Sequence, residues 1–228
     1  GYPLNPKKLL RNFLKAKASQ GDCMAIYHCS TKTVNRSSGR TAVASSAYRA
    51  GEKLEDERTG LTHDFTRKDG VAHSEIISNL DIEIDRGELW NLAEKTENRK
   101  DARTAREWVI ALPDELDADQ RKDLAKEFAQ SLVDRYGVIA DLAIHEPSKG
   151  GNDKNHHAHI MLTMRSMDEQ GRWNPKARKV YDLDVKGERI VLPSGEYKSH
   201  KANVVDWNNQ GNAEIWRTAW AAAVNRCY

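Results

Sequence analysis

The sequence predicts an α+β fold, a central antiparallel β-sheet with helices packed on its faces, and three observations lead there. Short apolar runs bounded by polar or Gly-containing loops recur along the chain and read as strands. They are mixed with segments of helical spacing, of which Leu124, Phe128, Ala129 and Leu132 form the clearest. Neighbouring strands are joined by hairpin-like loops, which favours antiparallel pairing over a doubly wound arrangement. A chain of 228 residues, 39% hydrophobic and 31% charged, is long enough for one domain with a real core and a highly charged surface.

Taken in order, Gly1 to Cys23 reads as an extension outside the fold. Its core, Pro6 to Lys17, is basic, with apolar residues at Leu9, Leu10, Phe13 and Leu14. Met24-Ala25-Ile26-Tyr27-His28 reads as a natural start, so residues 24–228 form the expected domain. A strand is expected over Ala25–Ser30, then a polar loop over Asn35–Arg40. Thr41 to Leu54 reads as an Ala-rich helix with Thr41 or Ser38 as its cap. Strand-like pieces follow at Leu61–Arg67 and Ala72–Ile77, then a helix over Arg86–Arg99 and a strand over Ala105–Leu112 stopped by Pro113. Asp117 to Tyr136 is a helix ended by Gly137. Strands are expected at Val138–His145 and His157–Arg165, a turn at Asp168–Arg172, and a strand-like piece at Arg189–Leu192. A last helix, Asn203 to Arg226, carries Trp207, Trp216 and Trp220 near helical spacing, as core residues do.

Charge and cysteine content narrow the function. The net charge is only +2, so the whole-chain balance says little about partners. Its distribution says more. From Gly1 to Arg49 the basic residues Lys7, Lys8, Arg11, Lys15, Lys17, Lys32, Arg36, Arg40 and Arg49 face the single acid Asp22, and Arg172 to Lys179 is a second basic stretch. A basic face suits a polyanion such as nucleic acid, although on charge alone a solvated surface is the better explanation. Cys23, Cys29 and Cys227 have no metal-type spacing and read as free thiols in a reducing compartment. No apolar stretch reaches the length of a membrane span, so no membrane insertion is expected.

The chemistry centres on histidines. His157 and His159 are two residues apart inside an apolar run, and His145 ends the preceding one. Side chains alternate across a strand, so His157 and His159 share a face. If the two runs are adjoining strands, three imidazoles converge with coordination positions left open, which describes a catalytic divalent metal site better than a closed structural one. Tyr48 stands among Ala42, Ala44, Ser45, Ser46, Ala47 and Ala50, whose small side chains leave its phenol accessible. A phenol titrates near about pH 10 in water and becomes a nucleophile only when a metal, cation or base stabilises the phenolate. Core packing is the plain alternative for a helical tyrosine.

The ordered set of these motifs resembles the MobA/MobL-type plasmid mobilisation relaxases, the MobQ class of the HUH endonuclease superfamily, from Met24 to the C-terminus. The pieces are Met24-Ala25-Ile26-Tyr27-His28, Tyr48 in its Ala/Ser-rich helix, Glu107-Trp108-Val109-Ile110-Ala111-Leu112-Pro113, Leu142-Ala143-Ile144-His145 and Asn155-His156-His157-Ala158-His159. The resemblance implies an HUH relaxase-like fold and a tyrosine that cuts one DNA strand at a plasmid transfer origin and stays joined to the 5′ phosphate. It implies Tyr48 as nucleophile, Glu107 as the acid supporting the metal-site histidines, and His145, His157 and His159 as ligands of Mg²⁺ or Mn²⁺. Imidazoles by themselves favour Zn²⁺ or Mn²⁺, so the ion stays open. His156 stands where a proline is common in the family; alternation points it away from the pair, as a DNA contact. Arg36, Arg40, Arg49, Lys176, Arg178 and Lys179 are candidate phosphate contacts, and Trp173 either stacks on an unpaired base or packs under a hairpin. DNA single-stranded near the nick, accessory relaxosome proteins and type IV secretion coupling machinery are the implied partners, in a bacterial cytoplasm. A rolling-circle initiator or HUH transposase would share this chemistry, and a nonenzymatic metal-containing DNA-binding module is the reading from another class. No P-loop motif occurs, in keeping with rejoining that needs no nucleotide triphosphate.

Overall fold

The computed structural model describes residues 28–148, 150, 154–206 and 211–227. The Gly1–Cys23 extension, the Met24–Tyr27 segment and Trp207 lie outside the described residues. The central sheet has five strands: β1 (Cys29–Asn35), β4 (Val71–Ile77), β5 (Arg103–Ala111), β6 (Ala140–His145) and β7 (His157–Thr163), in the order β1-β5-β7-β6-β4. Every neighbouring pair is antiparallel. The predicted class therefore holds, with one refinement. Only β6 and β7 are both consecutive and adjacent, so the other pairings join distant parts of the chain.

Four α-helices are seen among the described residues: α1 (Ala42–Ala50), α2 (Arg86–Thr96), α3 (Ala118–Tyr136) and α4 (Asn212–Asn225). They divide between the sheet faces, and strand alternation decides the division. Trp108, Ile110, Leu142, Ile144, Ala158, Ile160 and Leu162 pack against Leu124, Phe128, Leu132 of α3 and Trp216, Trp220 of α4. Trp108 meets Trp216 edge to face at 4.9 Å, and the Trp216 indole N–H donates to the Tyr136 hydroxyl at 2.7 Å. On the opposite face Val34, Ala105, Ile139 and Met161 pack against Ala42 and Val43 of α1 and Leu89, Trp90 and Ala93 of α2. This second face holds the histidines.

The helix ends follow the expected local chemistry. Thr41 caps α1, its hydroxyl accepting the Ala44 N–H at 2.9 Å, and Asp117 and Gln120 form a reciprocal capping box on α3. Gly51 takes φ 67°, a left-handed conformation open to glycine, and stops α1 four residues before the expected Leu54. The chain beyond it becomes a two-stranded hairpin, β2 (Lys53–Asp56) with β3 (Leu61–Asp64). Strand β1 also runs further than Ala25–Ser30 suggested, because the polar Thr31, Lys32 and Thr33 pair with β5, as does the buried Val34. A second hairpin, β8 (Ala177–Tyr181) with β9 (Ser199–Asn203), has little apolar alternation to announce it. The expected strand at Arg189–Leu192 makes only isolated bridges, and Asn203, where the last helix was expected to begin, is the final residue of β9.

Candidate metal centre and nucleophile

The β6–β7 register sets His145 directly opposite His157 and Ala143 opposite His159, so the three imidazoles share one face. Ring centroids lie 5.2 Å apart for His145–His157, 4.9 Å for His145–His159 and 5.2 Å for His157–His159. One nitrogen of each lies within 4.8 Å of the others, a spacing that can close on a single ion.

The remaining ring nitrogens are already engaged. His145 Nε2 lies 2.7 Å from the Arg49 carbonyl oxygen, and His157 Nδ1 lies 2.9 Å from that of Asn155. A carbonyl only accepts, so these nitrogens carry the protons and the opposite nitrogens keep their lone pairs. His159 Nδ1 makes the same kind of contact with Glu107 Oε1 at 2.6 Å. The free positions are thus Nδ1 of His145 and Nε2 of His157 and His159. Burial pushes the His145 imidazole down to about 4, and burial also lowers His159 despite the opposing pull of Glu107. Neutral rings with fixed tautomers suit a divalent ion, and the donor set fits one.

Glu107 is buried on β5, and β1 brings Lys32 opposite it. Its oxygens accept from Arg49 Nε at 2.7 Å and Nη2 at 3.2 Å, and Lys32 Nζ lies 3.2 Å away. Burial alone would raise this carboxyl; the hydrogen bonds from His159 and Arg49 outweigh it and hold the group well below the usual carboxylate range.

Tyr48 stands on the last turn of α1. Ala42, Val43, Ser46 and Ala47 bury the other side of that helix, while Tyr48 is 45% exposed, so core packing does not describe it. Phe65 meets its ring edge to face at 5.2 Å, and Lys68 Nζ lies 4.0 Å from the ring centroid while donating to the Tyr48 carbonyl at 2.7 Å. The next residue, Arg49, ties this turn to the histidines twice, through its carbonyl to His145 and its guanidinium to Glu107. Phe65, Lys68 and Lys32 have no motif in the sequence that marks them; tertiary pairing alone brings them here.

The other site candidates are scattered. Arg36 binds the Glu94 carboxylate and the main-chain oxygens of Glu94 and Arg99. Arg49 turns inward to Glu107, and Lys176 pairs with Glu97 at 2.7 Å. Arg40, Arg178 and Lys179 are exposed, the last two on β8. Trp173 is half-buried against the α1/α2 cluster, its indole nitrogen buried without a hydrogen-bond partner. His156 is buried beside Glu146, with Nδ1 at 2.9 Å from the carboxylate, and does not join the triad.

An antiparallel sheet that carries a histidine triad on one face, with a tyrosine-bearing helix docked on it, defines an α+β protein with a candidate metal centre. The MobA/MobL family matches residues 40–228, and the chain belongs to that family. It is 39% identical to the mobilization protein MobL of Acidithiobacillus ferridurans, over 89% of this chain and 57% of that protein. It is 33% identical to the conjugal transfer protein TraA of Rhizobium radiobacter, over 89% of this chain and 18% of the relative. The chain thus spans little more than half of the first relative and under a fifth of the second. A solved structure described as the molecular basis of vancomycin resistance transfer in Staphylococcus aureus superposes with a TM-score of 0.70 at 32% identity, covering 89% of this chain and 92% of that one. No described helix is long and apolar enough to cross a membrane.

Proposed function

We propose that this chain is the relaxase domain of a mobilisation protein, a site- and strand-specific nuclease that cuts single-stranded DNA at a plasmid transfer origin and becomes covalently attached to it. The observation that carries this reading is the double engagement of Arg49, which fastens the turn bearing Tyr48 to His145 and to the Glu107–His159 pair. A nucleophile and a charge-stabilising centre are thereby held on one rigid unit.

In the proposed reaction the Tyr48 oxygen attacks a backbone phosphorus in line. The bond from phosphorus to the 3′ oxygen breaks as the bond to tyrosine forms. The phenol gives up its proton, and the departing 3′ oxygen gains one. The 5′ phosphate remains on Tyr48 as a diester, so a 3′ hydroxyl can later reverse the step without an energy donor. His145, His157 and His159 would hold a divalent ion, with Mg²⁺ or Mn²⁺ as first candidates, and such an ion would supply positive charge against the charge developing on the phosphate. Glu107 keeps His159 in one tautomer, and its fixed negative charge is shared with Arg49 and Lys32. Exposed Arg40, Arg178 and Lys179 are the candidates left for binding phosphates in solvent. A cytoplasmic setting with relaxosome and secretion partners goes with this role.

The test is covalent capture. Wild type and Tyr48→Phe are incubated with single-stranded oligonucleotides tiling a plasmid transfer origin, with chelator and with added Mg²⁺ or Mn²⁺. The expected result is a metal-dependent protein–DNA adduct in wild type, none in Tyr48→Phe, and similar DNA binding by both. An adduct that persists in Tyr48→Phe reassigns the nucleophile, with Tyr27 next to be mapped.

A further inference from the structure

An exposed tyrosine ring is ordinarily free to rotate, yet the Tyr48 ring is bracketed. Phe65 stands at its edge, the Arg49 guanidinium lies 5.3 Å from the ring centroid, and Lys68 Nζ lies over the face at 4.0 Å. The bracket is built by the turn after β3. The Phe65 N–H donates to the Glu52 carbonyl at 3.1 Å, and the Lys68 N–H to the Phe65 carbonyl at 2.9 Å. The turn is thereby fixed to the chain that leaves α1.

The electrostatics of this lysine are unusual. Arg49 is neutralised by Glu107, but among the described residues no carboxylate is paired with Lys68. The groups that face it are Tyr48 and Arg49 from α1 and His145 from β6, with Arg67 and Asp69 as chain neighbours. Burial and the Arg49 charge push its ammonium down to about 8. With no carboxylate paired to it among the described residues, this cation can compensate an arriving anion, and phosphodiester attack by Tyr48 brings one. Capping the end of α1 explains the hydrogen bond to the Tyr48 carbonyl; it does not explain why the same amine also covers the ring.

We propose that Lys68 is a positioning residue for Tyr48, a cation that fixes the ring and faces the negative charge gathering on the phenol oxygen and the phosphate during attack. The inference rests on Tyr48 as the nucleophile. It concerns a residue that neither binds the ion nor forms the covalent bond.

The experiment compares wild type, Lys68→Met and Lys68→Arg on an origin oligonucleotide that wild type cleaves with a Tyr48 adduct. Single-turnover rates at saturating DNA, DNA affinity and thermal melting are measured together. Lys68→Met is expected to slow cleavage by roughly 3- to 30-fold, the scale of one partly desolvated cation–ring contact. Its affinity and melting should stay near wild type. Lys68→Arg should restore most of the rate. The wild-type rate should fall above about pH 8 as Lys68 loses its charge, and this limb should be absent in Lys68→Arg, which stays charged. If Lys68→Met unfolds, Lys68→Gln is assayed in its place. A Met or Gln variant that cleaves at the wild-type rate overturns the proposal. So does a wild-type rate that rises through pH 8 with Lys68→Arg inactive, which would make the amine a proton acceptor. If wild type itself forms no Tyr48 adduct, the nuclease reading fails first and this one falls with it.

Discussion

Along β7, Ala158, Ile160 and Leu162 enter the cluster under α3 and α4, while His157 and His159, on the alternate positions, enter the site under α1. The two faces are built from alternate residues of the same strands, and they are held in different ways. The α3/α4 face is filled with apolar side chains, each worth about 1.5–3 kcal/mol when fully buried. The α1/α2 face has a smaller apolar cluster and is pinned by buried carboxylates. Asp141 accepts from Ser46 of α1 at 2.8 Å, from Trp90 of α2 at 2.8 Å and from Arg86 at 3.1 Å. Glu94 accepts the Ala42 N–H at the start of α1 and pairs with Arg36 and Arg58. Glu107 holds Arg49 and His159. Non-directional burial suffices where only cohesion is needed. Directional bonds are used on the face where the helix that carries Tyr48 is tied down beside three imidazoles.

The contrast can be broken by mutation. The largest effect is expected from Asp141→Ala. It leaves the buried Arg86 guanidinium with Glu52 as its remaining carboxylate, and it strips Ser46 and Trp90 of their acceptor. Losing one side of a buried pair costs roughly 3–5 kcal/mol. Denaturant unfolding measures it, and a loss below about 1 kcal/mol would show that this face does not depend on its carboxylates. On the other face, Ile160→Ala should cost roughly 2–5 kcal/mol through lost burial and a cavity, while ion affinity measured by Mn²⁺ titration stays unchanged. A fall in affinity there would mean that the two faces are coupled.

Glu107→Gln separates stability from site chemistry. The amide keeps the volume and removes the charge that His159 and Arg49 share. Ion affinity is expected to drop by roughly 10- to 100-fold, with a smaller stability loss than Asp141→Ala. Unchanged Mn²⁺ affinity would leave Glu107 as a packing anchor for α1 alone.

What the sequence made legible follows the same division. Period-two alternation was enough to put His157 and His159 on one face, and the pairing of their strand with the one ending at His145 completed the triad. Capping and helical spacing located α3. Asp141 was not singled out in the run Ala140–Ile144, and its partners Ser46, Arg86 and Trp90 could not be read because they come from two helices remote in the chain. Lys32 reaches Glu107 only through the β1–β5 register, and Lys68 reaches Tyr48 only because Gly51 turns the chain into the β2–β3 hairpin. The β8–β9 hairpin is too polar for alternation to reveal it.

The smallest expected effect concerns acid sensitivity of the metal-free protein. Burial lowers His145 to about 4 in the folded chain, against about 6.5 for an exposed imidazole. The unfolded chain therefore takes up this proton first as pH falls. Stability linked to His145 is complete above about pH 6.5 and is lost progressively from there down to about pH 4, below which both states are protonated. Lys68 and the other two imidazoles of the triad push His145 the same way, while the Arg49 carbonyl opposes them. Melting temperatures of wild type and His145→Asn, measured from pH 7.5 to pH 4 with chelator present, isolate this contribution. The variant should lose less stability across that range, and bound Mn²⁺ should protect wild type but not the variant. Parallel curves for the two proteins would assign the acid sensitivity to the buried carboxylates, and the polar face would then owe its pH response to the groups that pin it rather than to the triad that it carries.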